Sequence, residues 1–274
     1  MQESHALEQI TANVLASPKY RRVCADTVRR IAAQALARQE TLAQAIKSTK
    51  SKLHQVYGAY GSTINYRRAL DDLSTSYTMS SSSTMADRSA FKLTCHKLLS
   101  LHASTRERLH ILDHFFERIF ACTGTPAVLL DLACGLGPLA LPWMNLAPDA
   151  VYNAYDIDAQ RIEFLNHFFD LAGVRGRAHL HDILCRSPEE QADVALLLKS
   201  SACLEQQEKG STLTLLDCLH APHIVVTYPV ASLGRRPKGM VAHYAQTFEA
   251  MLADRPWSVT RLDFETELAF VVSK

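Results

Sequence analysis

No apolar run in the chain approaches the ~18–20 residues that a membrane-spanning helix needs. The first residues, MQESHALEQI, lack a basic stretch leading into an apolar core, so no secretory signal is read there. The seven cysteines (Cys24, Cys95, Cys122, Cys134, Cys185, Cys203 and Cys218) are odd in number and widely spaced, with no C-x-x-C. That pattern argues against a disulfide framework or a zinc site and for reduced thiols in a cytoplasmic protein. Histidine gives no metal pattern either. His110 and His114 lie i,i+4 without the Glu of H-E-x-x-H, and His179 and His181 flank a strand end with no evident third ligand, so no metal is expected. There is also no defensible Ser/His/Asp or Cys/His arrangement for nucleophilic catalysis.

A net charge of only +1 by itself points to no charged partner, but it conceals an asymmetry. Residues 1–125 carry 17 Lys and Arg against 10 Asp and Glu, a net of +7; residues 126–274 carry 12 against 18, a net of −6. The 274 residues, 47% hydrophobic and 21% charged, suffice for one large domain or two unequal ones. A basic front half suggests a part that faces a polyanion.

The front half reads as helical. Apolar residues recur at helical spacing over Ser4–Ala16, Asp26–Arg38 (with Asp26 as N-cap and Arg29 and Arg30 on the outer face) and Thr41–Tyr57. A Gly58–Gly61 turn, a short helix near Tyr66–Leu73, a mobile Ser-rich loop over 74–86 and a helix from Asp87 to Phe120 follow. After Gly124-Thr125-Pro126 the texture changes. Strand-like runs at 127–133, 151–157, 177–183, 192–199, 223–229, 257–264 and 267–273 alternate with candidate helices at 138–147, 159–172, 203–219 and 239–252. Such alternation predicts an α/β fold with a parallel sheet covered on both faces. The last two runs, separated only by Glu265 and Thr266, predict an antiparallel hairpin at one edge. That ending marks the seven-stranded, Rossmann-like methyltransferase variant of the doubly wound fold. The expected organisation is a helical unit over 1–100 and a methyltransferase domain over 101–274.

The informative stretch is DLACGLGPLA (131–140), in which a strand ends in an acid, turns through glycine and opens a helix with Pro138 in its first turn. Gly135-x-Gly137-x-x-Ala140 formally matches the dinucleotide fingerprint, a weak pattern alone. Asp156, nineteen residues past Gly137, ends the next strand where it can accept ribose hydroxyls. Two details favour S-adenosylmethionine over a dinucleotide. Asp131 lies four residues before the first glycine, where it can orient the ligand's amino-acid end. Asp182 ends the third strand, where it or the Ile183 backbone can meet the adenine.

These residues also carry a closer likeness. LHASTRERL (101–109), DLACGLGPLA (131–140), LLLKSSACLE (196–205) and SLGRRPKGM (232–240), with Tyr244 and Phe248-Glu249, resemble the Arm/Rmt family of 16S ribosomal RNA guanine-N7 methyltransferases. YRRVCADTVRR (20–30) and LHQVYGAY (53–60) resemble that family's N-terminal domain, so the likeness spans nearly the whole chain. The resemblance implies methyl transfer from S-adenosyl-L-methionine, with S-adenosyl-L-homocysteine as product, to guanine-1405 in the 30S subunit, and resistance to aminoglycosides such as gentamicin and kanamycin. It implies Arg108 at the cofactor's carboxylate, Gly135 at close backbone approach, Asp156 at the ribose, and Asp182 with Ile183 at the adenine. His102, Ser104, Asp131, Ala133, Ile157 and Lys199 complete the implied cofactor site. Lys199, Arg236 and Met240 are implied near the reaction centre, and Arg235, Arg236 and Lys238 in a loop that closes on the target nucleotide. The chain departs from the family pattern at Gly137 (usually Asn), Ala202 (usually Pro), Val230 and Ala231.

Guanine N7 has an in-plane lone pair and loses no proton on methylation, so alignment suffices and no general base is needed. Candidate RNA contacts are Lys19, Arg21, Arg22, Arg29, Arg30, Lys47, Lys50, Lys52, Arg67 and Arg68; no aromatic platform is visible, so folded RNA shape is the expected target. A monomer is expected. The alternatives are an S-adenosylmethionine-dependent methyltransferase of another RNA or a small molecule, and a protein that binds RNA without catalysis.

Overall fold

The computed structural model describes residues 2–58, 64–79, 89–230 and 238–274. Three helices come first, α1 (Gln2–Leu15), α2 (Ala25–Ala37) and α3 (Leu42–Leu53), the last running into one π-helical turn, His54–Gly58. They enclose their own core around Ile10, Val14, Val28, Ile31 and Leu53. Thr41 starts α3 with a capping box to Gln44, an arrangement worth about 1 kcal/mol. Asp26 is not the N-cap expected of it. The helix begins earlier because an antiparallel bridge from Val23 to Asp158 holds the chain extended up to Cys24, and Asp26 instead pairs with Arg29 at 3.1 Å.

The Ser-rich stretch departs from expectation. α4 (Tyr66–Met79) continues helical through residues 74–79; Thr75 and Thr78 donate to carbonyls one turn back (2.9 and 2.8 Å), and Tyr77 packs edge-on against Phe91. Hydroxyls satisfied within the helix and one half-buried aromatic outweigh a weak propensity. Residues 80–86 of the expected loop, and 59–61 of the expected turn, lie outside the described residues. The long helix expected up to Phe120 is broken into α5 (Ser89–Leu99), α6 (Ala103–Arg108), a 3₁₀ turn (Leu109–Ile111) and α7 (Leu112–Thr123). α4 and α5 share one core with the sheet and α8 (Ala159–Ala172), through Tyr66, Phe91, Phe164 and Phe168, rather than with α1–α3.

All seven strands form: β1 (Val128–Leu132), β2 (Val151–Asp156), β3 (Ala178–Leu180), β4 (Val194–Leu198), β5 (His223–Pro229), β6 (Ser258–Asp263) and β7 (Glu267–Ser273). Their order is β3-β2-β1-β4-β5-β7-β6, with β7 antiparallel to both neighbours. β1, β4, β5 and β7 are buried on both faces, as a sheet covered by helices requires. The segment after β1 is a 3₁₀ helix (Gly137–Trp143) instead of an α-helix, because Pro142 has no N–H for the carbonyl of Pro138. The single helix expected over 203–219 is two, α9 (Ser201–Gln207) and α10 (Ser211–Cys218), parted at Gly210 (φ +81°), whose N–H and that of Thr212 are both held by Glu205 at 2.8 Å. α11 (Lys238–Leu252) precedes the terminal hairpin.

Candidate active site

The carboxyl ends of β1, β2 and β4, with the loop that follows β3, open into one cleft of about 1030 Å³. That volume includes the open mouth, and the cleft lies at the crevice where doubly wound sheets bind ligands. Sequence-predicted residues meet there: His102, Ser104, Arg108, Asp131, Ala133, Gly135, Asp156, Ile157, Asp182, Ile183 and Lys199 all line it.

Backbone strain marks two strand ends. Ala133 (φ +51°), after β1, and Lys199 (φ +59°), after β4, both occupy the left-handed region, a conformation that costs a non-glycine residue about 1 kcal/mol or more. Gly135 (φ +55°) adopts it freely, and a Cβ there would lie 3.5 Å from the His102 ring. The Gly135 N–H donates to Asp156 Oδ2 at 3.0 Å, fixing the turn against the end of β2. Asp156 Oδ1 accepts from Asp158 N (3.0 Å) and from Arg161 Nη1 (2.8 Å). One acceptor position on Oδ2 thus stays open. Arg161 is buried, which lowers its pKa, but Asp156, Tyr66 and Asp158 more than offset that and hold it charged.

At the β1 end, Tyr152 donates its hydroxyl to Asp131 Oδ2 at 2.8 Å. Burial of Asp131, opposed by this bond and by the Arg108 charge, raises its pKa to about 7. Burial and the nearby Arg161 charge lower His102 to about 4, so its ring is neutral around pH 7; Nδ1 lies 2.9 Å from Ser104 Oγ.

A buried charge cluster floors the cleft. Arg108 Nη2 donates to Glu267 Oε2 at 3.0 Å and Nε lies 2.8 Å from Oε1. Lys199 Nζ is 3.2 Å from the same Oε1, donates to Glu107 Oε2 at 2.8 Å and to the Ser104 carbonyl at 3.2 Å. Glu267 is wholly buried. Sequence reasoning missed Glu267, Arg161, Tyr152 and Glu107.

The helical unit also reaches the cleft. Cys24 N–H donates to the Ile157 carbonyl and Ala159 N–H to the Arg22 carbonyl, each at 2.8 Å. Tyr57 Oη donates to Asp158 Oδ2 at 2.9 Å, and Val56 and Tyr57 line the wall. Arg30, expected on the outer face of α2, turns inward and binds Asp182 in the loop after β3. Of the other basic candidates, Lys19, Arg21, Arg29, Lys47, Arg67 and Arg68 are exposed, and Arg22, Lys50 and Lys52 half-buried. Arg29 is paired with Glu8 and Asp26, Lys50 donates to Asn13, and Lys52 to the Gln206 carbonyl. Among the described residues no carboxylate pairs with Lys19, Arg21, Lys47, Arg67 or Arg68. Arg235, Arg236 and Ala231 lie outside the described residues, and Lys238 opens α11. Met240, half-buried on α11, is not among the residues lining the cleft.

A buried carboxylate at each of three neighbouring strand ends, a glycine turn and a cation pair at one end suit a ligand with a carboxylate, an ammonium, a sugar diol and a base. The model of the family described as ribosomal RNA methyltransferase (FmrO) matches residues 16–271. The chain belongs to that family. A 16S rRNA (guanine(1405)-N(7))-methyltransferase of Micromonospora rosea is 40% identical over 271 residues, 98% of this chain and 97% of the relative. The 16S rRNA methyltransferase RmtF, solved in complex with S-adenosyl-L-homocysteine, is 35% identical with a TM-score of 0.80, and the 16S rRNA methylase RmtB 30% identical with a TM-score of 0.79; each alignment covers 98% of both chains.

Three of the four departures from the family pattern lie within the described residues. Ala202 is the second residue of α9, where a backbone N–H has no helical partner, so proline and alanine are both accommodated. Val230 packs against the core beneath β5, and its N–H donates to the Thr266 carbonyl at 3.1 Å. At Gly137 a Cβ would stand 2.7 Å from Asp131 Oδ2, an atom held by Tyr152. Gly137→Ala is therefore expected to displace Asp131 and destabilise the protein by about 1–3 kcal/mol, measured by urea unfolding. The same substitution in a Tyr152→Phe background, where Asp131 can turn away, should cost less.

Proposed function

We propose that this chain methylates N7 of guanine-1405 in 16S rRNA, with S-adenosyl-L-methionine as donor and the 30S subunit as substrate. The observation that carries this is the ring of Asp131, Asp156, Asp182 and Gly135 around one cleft, in a chain that belongs to a ribosomal RNA methyltransferase family over nearly its full length. When bound, S-adenosylmethionine supplies a sulfonium methyl that passes to the N7 lone pair, leaving the S–C electron pair on sulfur and a positive charge on the purine.

The chain's own residues bind and align. Asp156 offers its open Oδ2 position to a ribose hydroxyl. Arg108, its Nε/Nη2 edge taken up by Glu267, keeps Nη1 for the amino acid's carboxylate, while Asp131 faces the ammonium. The family resemblance assigns Lys199, Arg236 and Met240 to the target base, and Arg235 and Lys238 to its flanking phosphates. No residue needs to remove a proton, because N7 carries none. A positively charged 7-methylguanine repels a cationic aminoglycoside, which is the basis of the expected resistance to gentamicin and kanamycin. Incubation of 30S subunits with the protein and methyl-labelled donor, followed by nuclease digestion, should give labelled 7-methylguanosine; label in no nucleoside would contradict the proposal.

Asp131 gives this site a pH dependence. Its pKa is raised to about 7 without ligand, and an adjacent ammonium favours the carboxylate, so binding below pH 7 must expel a proton. Affinity for S-adenosylhomocysteine should weaken by about tenfold per pH unit below 7 and level off above it. His102, neutral throughout pH 6–8, contributes nothing there. Calorimetry over that range checks this; a flat affinity would count against the assignment.

For the docking unit we propose α1–α3, residues up to Gly58, because α4 and α5 belong to the core of the sheet. Lys19, Arg21 and Lys47 are exposed on it without carboxylate partners and suit phosphate contact. Reversing these three charges should weaken 30S binding and flatten its dependence on salt by about one logarithmic unit per lost contact, while affinity for S-adenosylhomocysteine stays unchanged. Undiminished 30S binding would remove this face from the interface.

A further inference from the structure

One buried cation of the cleft has no part in the chemistry above. Arg30 lies on α2, and its Nε and Nη2 both donate to Asp182 Oδ2, at 3.1 and 3.0 Å. Nη2 also donates to Gln207 Oε1 at 2.8 Å. The side chains of Arg30 and Asp182 are only 11% and 4% exposed. Adjacent Arg29 is exposed and paired with Glu8, so the step of about 100° per helical residue separates a surface arginine from one committed to the cleft.

The remaining valences are specific. Arg30 lines the same cleft as Asp182, and both lie beside the Cys185 thiol. On the acid, Oδ2 takes two N–H groups from Arg30, and Oδ1 takes the Leu184 N–H at 2.9 Å, which leaves one acceptor position on Oδ1. This wall therefore offers one open acceptor, on a carboxylate held in place by the guanidinium. A 6-aminopurine presents a complementary amino N–H to such an acceptor. A 6-oxopurine puts an acceptor where the amine stood and meets the carboxylate with repulsion.

We propose that Arg30 is a specificity-determining positioning residue for the base of the cofactor. It fixes Asp182 as the acceptor of the exocyclic amine. The selective wall of the cofactor site is thereby completed by the helical unit as well as by the sheet. This rests on the reading of Asp182 as the acid that faces the base.

The test is calorimetric titration of the full chain with S-adenosylhomocysteine and with S-inosylhomocysteine, taking the ratio of the two affinities within each variant. That ratio does not change if a variant merely contains less folded protein. Wild type should favour the adenosyl compound by roughly ten- to a hundredfold. Asp182→Asn and Arg30→Gln should each bring the ratio towards one, and Arg30→Lys should lie between, because an ammonium keeps the charge but not the fork. If Asp182→Asn collapses the ratio and Arg30→Gln preserves it, Arg30 has no such role while the reading of Asp182 stands. If Asp182→Asn preserves the ratio, or wild type shows no preference, that reading fails and the proposal with it. If Arg30→Gln weakens both ligands equally, the residue is structural and the proposal is overturned. Should Arg30→Gln fail to fold, an unchanged ratio in Arg30→Lys overturns it as well.

Discussion

Asp156→Ala is expected to lose S-adenosylhomocysteine binding and to lower the stability of the ligand-free protein by about 3–5 kcal/mol. The stability loss comes from what the carboxylate leaves behind. Arg161 is buried, and without Asp156 its nearest acid is Asp158, at 3.9 Å. The Gly135 N–H loses its acceptor as well, and an unpaired buried donor adds to the cost. Binding and scaffolding can be separated with a second change. Arg161→Met in the Asp156→Ala background removes the stranded cation, so stability should largely return while ligand affinity does not. Urea unfolding and calorimetry on the two variants decide this. Recovery of affinity in the double variant would make Asp156 a scaffold residue without a ligand contact.

The second large effect is expected at Glu267, the first residue of β7. Glu267→Ala leaves the Arg108 guanidinium, only 4% exposed, without its carboxylate, and leaves Lys199 with Glu107 alone, whose side chain is 37% exposed. Loss of one partner from such a buried cluster costs about 3–5 kcal/mol. Glu267→Gln keeps the shape and one acceptor, and should cost less. Because Arg108 is the proposed carboxylate ligand, its loss of orientation should raise the KM for S-adenosylmethionine by on the order of tenfold or more, with a smaller change in kcat. A Glu267→Gln enzyme with wild-type KM would detach Glu267 from the cofactor site.

The sheet was legible in the sequence because its strands are short apolar runs bounded by turn residues, and Glu265-Thr266 between the last two runs forced the hairpin. Asp131, Asp156 and Asp182 were legible for the same reason: acids that close apolar strands stand out. Arg30 was not, because α2 carries two adjacent arginines and periodicity alone does not say which one faces the cleft. Glu267 was hidden because its partner Arg108 lies 159 positions away, and a single acid at the start of a strand gives no signal of its own. Arg161 resembles any surface arginine in a helix until Asp156 and Asp158 are seen to enclose it. The 3₁₀ segment after β1 could have been read from Pro138 and Pro142, four residues apart. The helix over 74–79 could not, since Ser and Thr satisfied by their own backbone look like loop residues until Tyr77 meets Phe91.

Strand scission of 16S rRNA tests the central claim most directly. After 30S subunits are incubated with the protein and S-adenosylmethionine, borohydride and aniline treatment should cleave at 7-methylguanosine, and primer extension should stop at the nucleotide on the 3′ side of guanine-1405. Subunits incubated without the donor should show no stop there. A stop beside another guanine would move the target, and no donor-dependent stop anywhere in 16S rRNA would contradict the account.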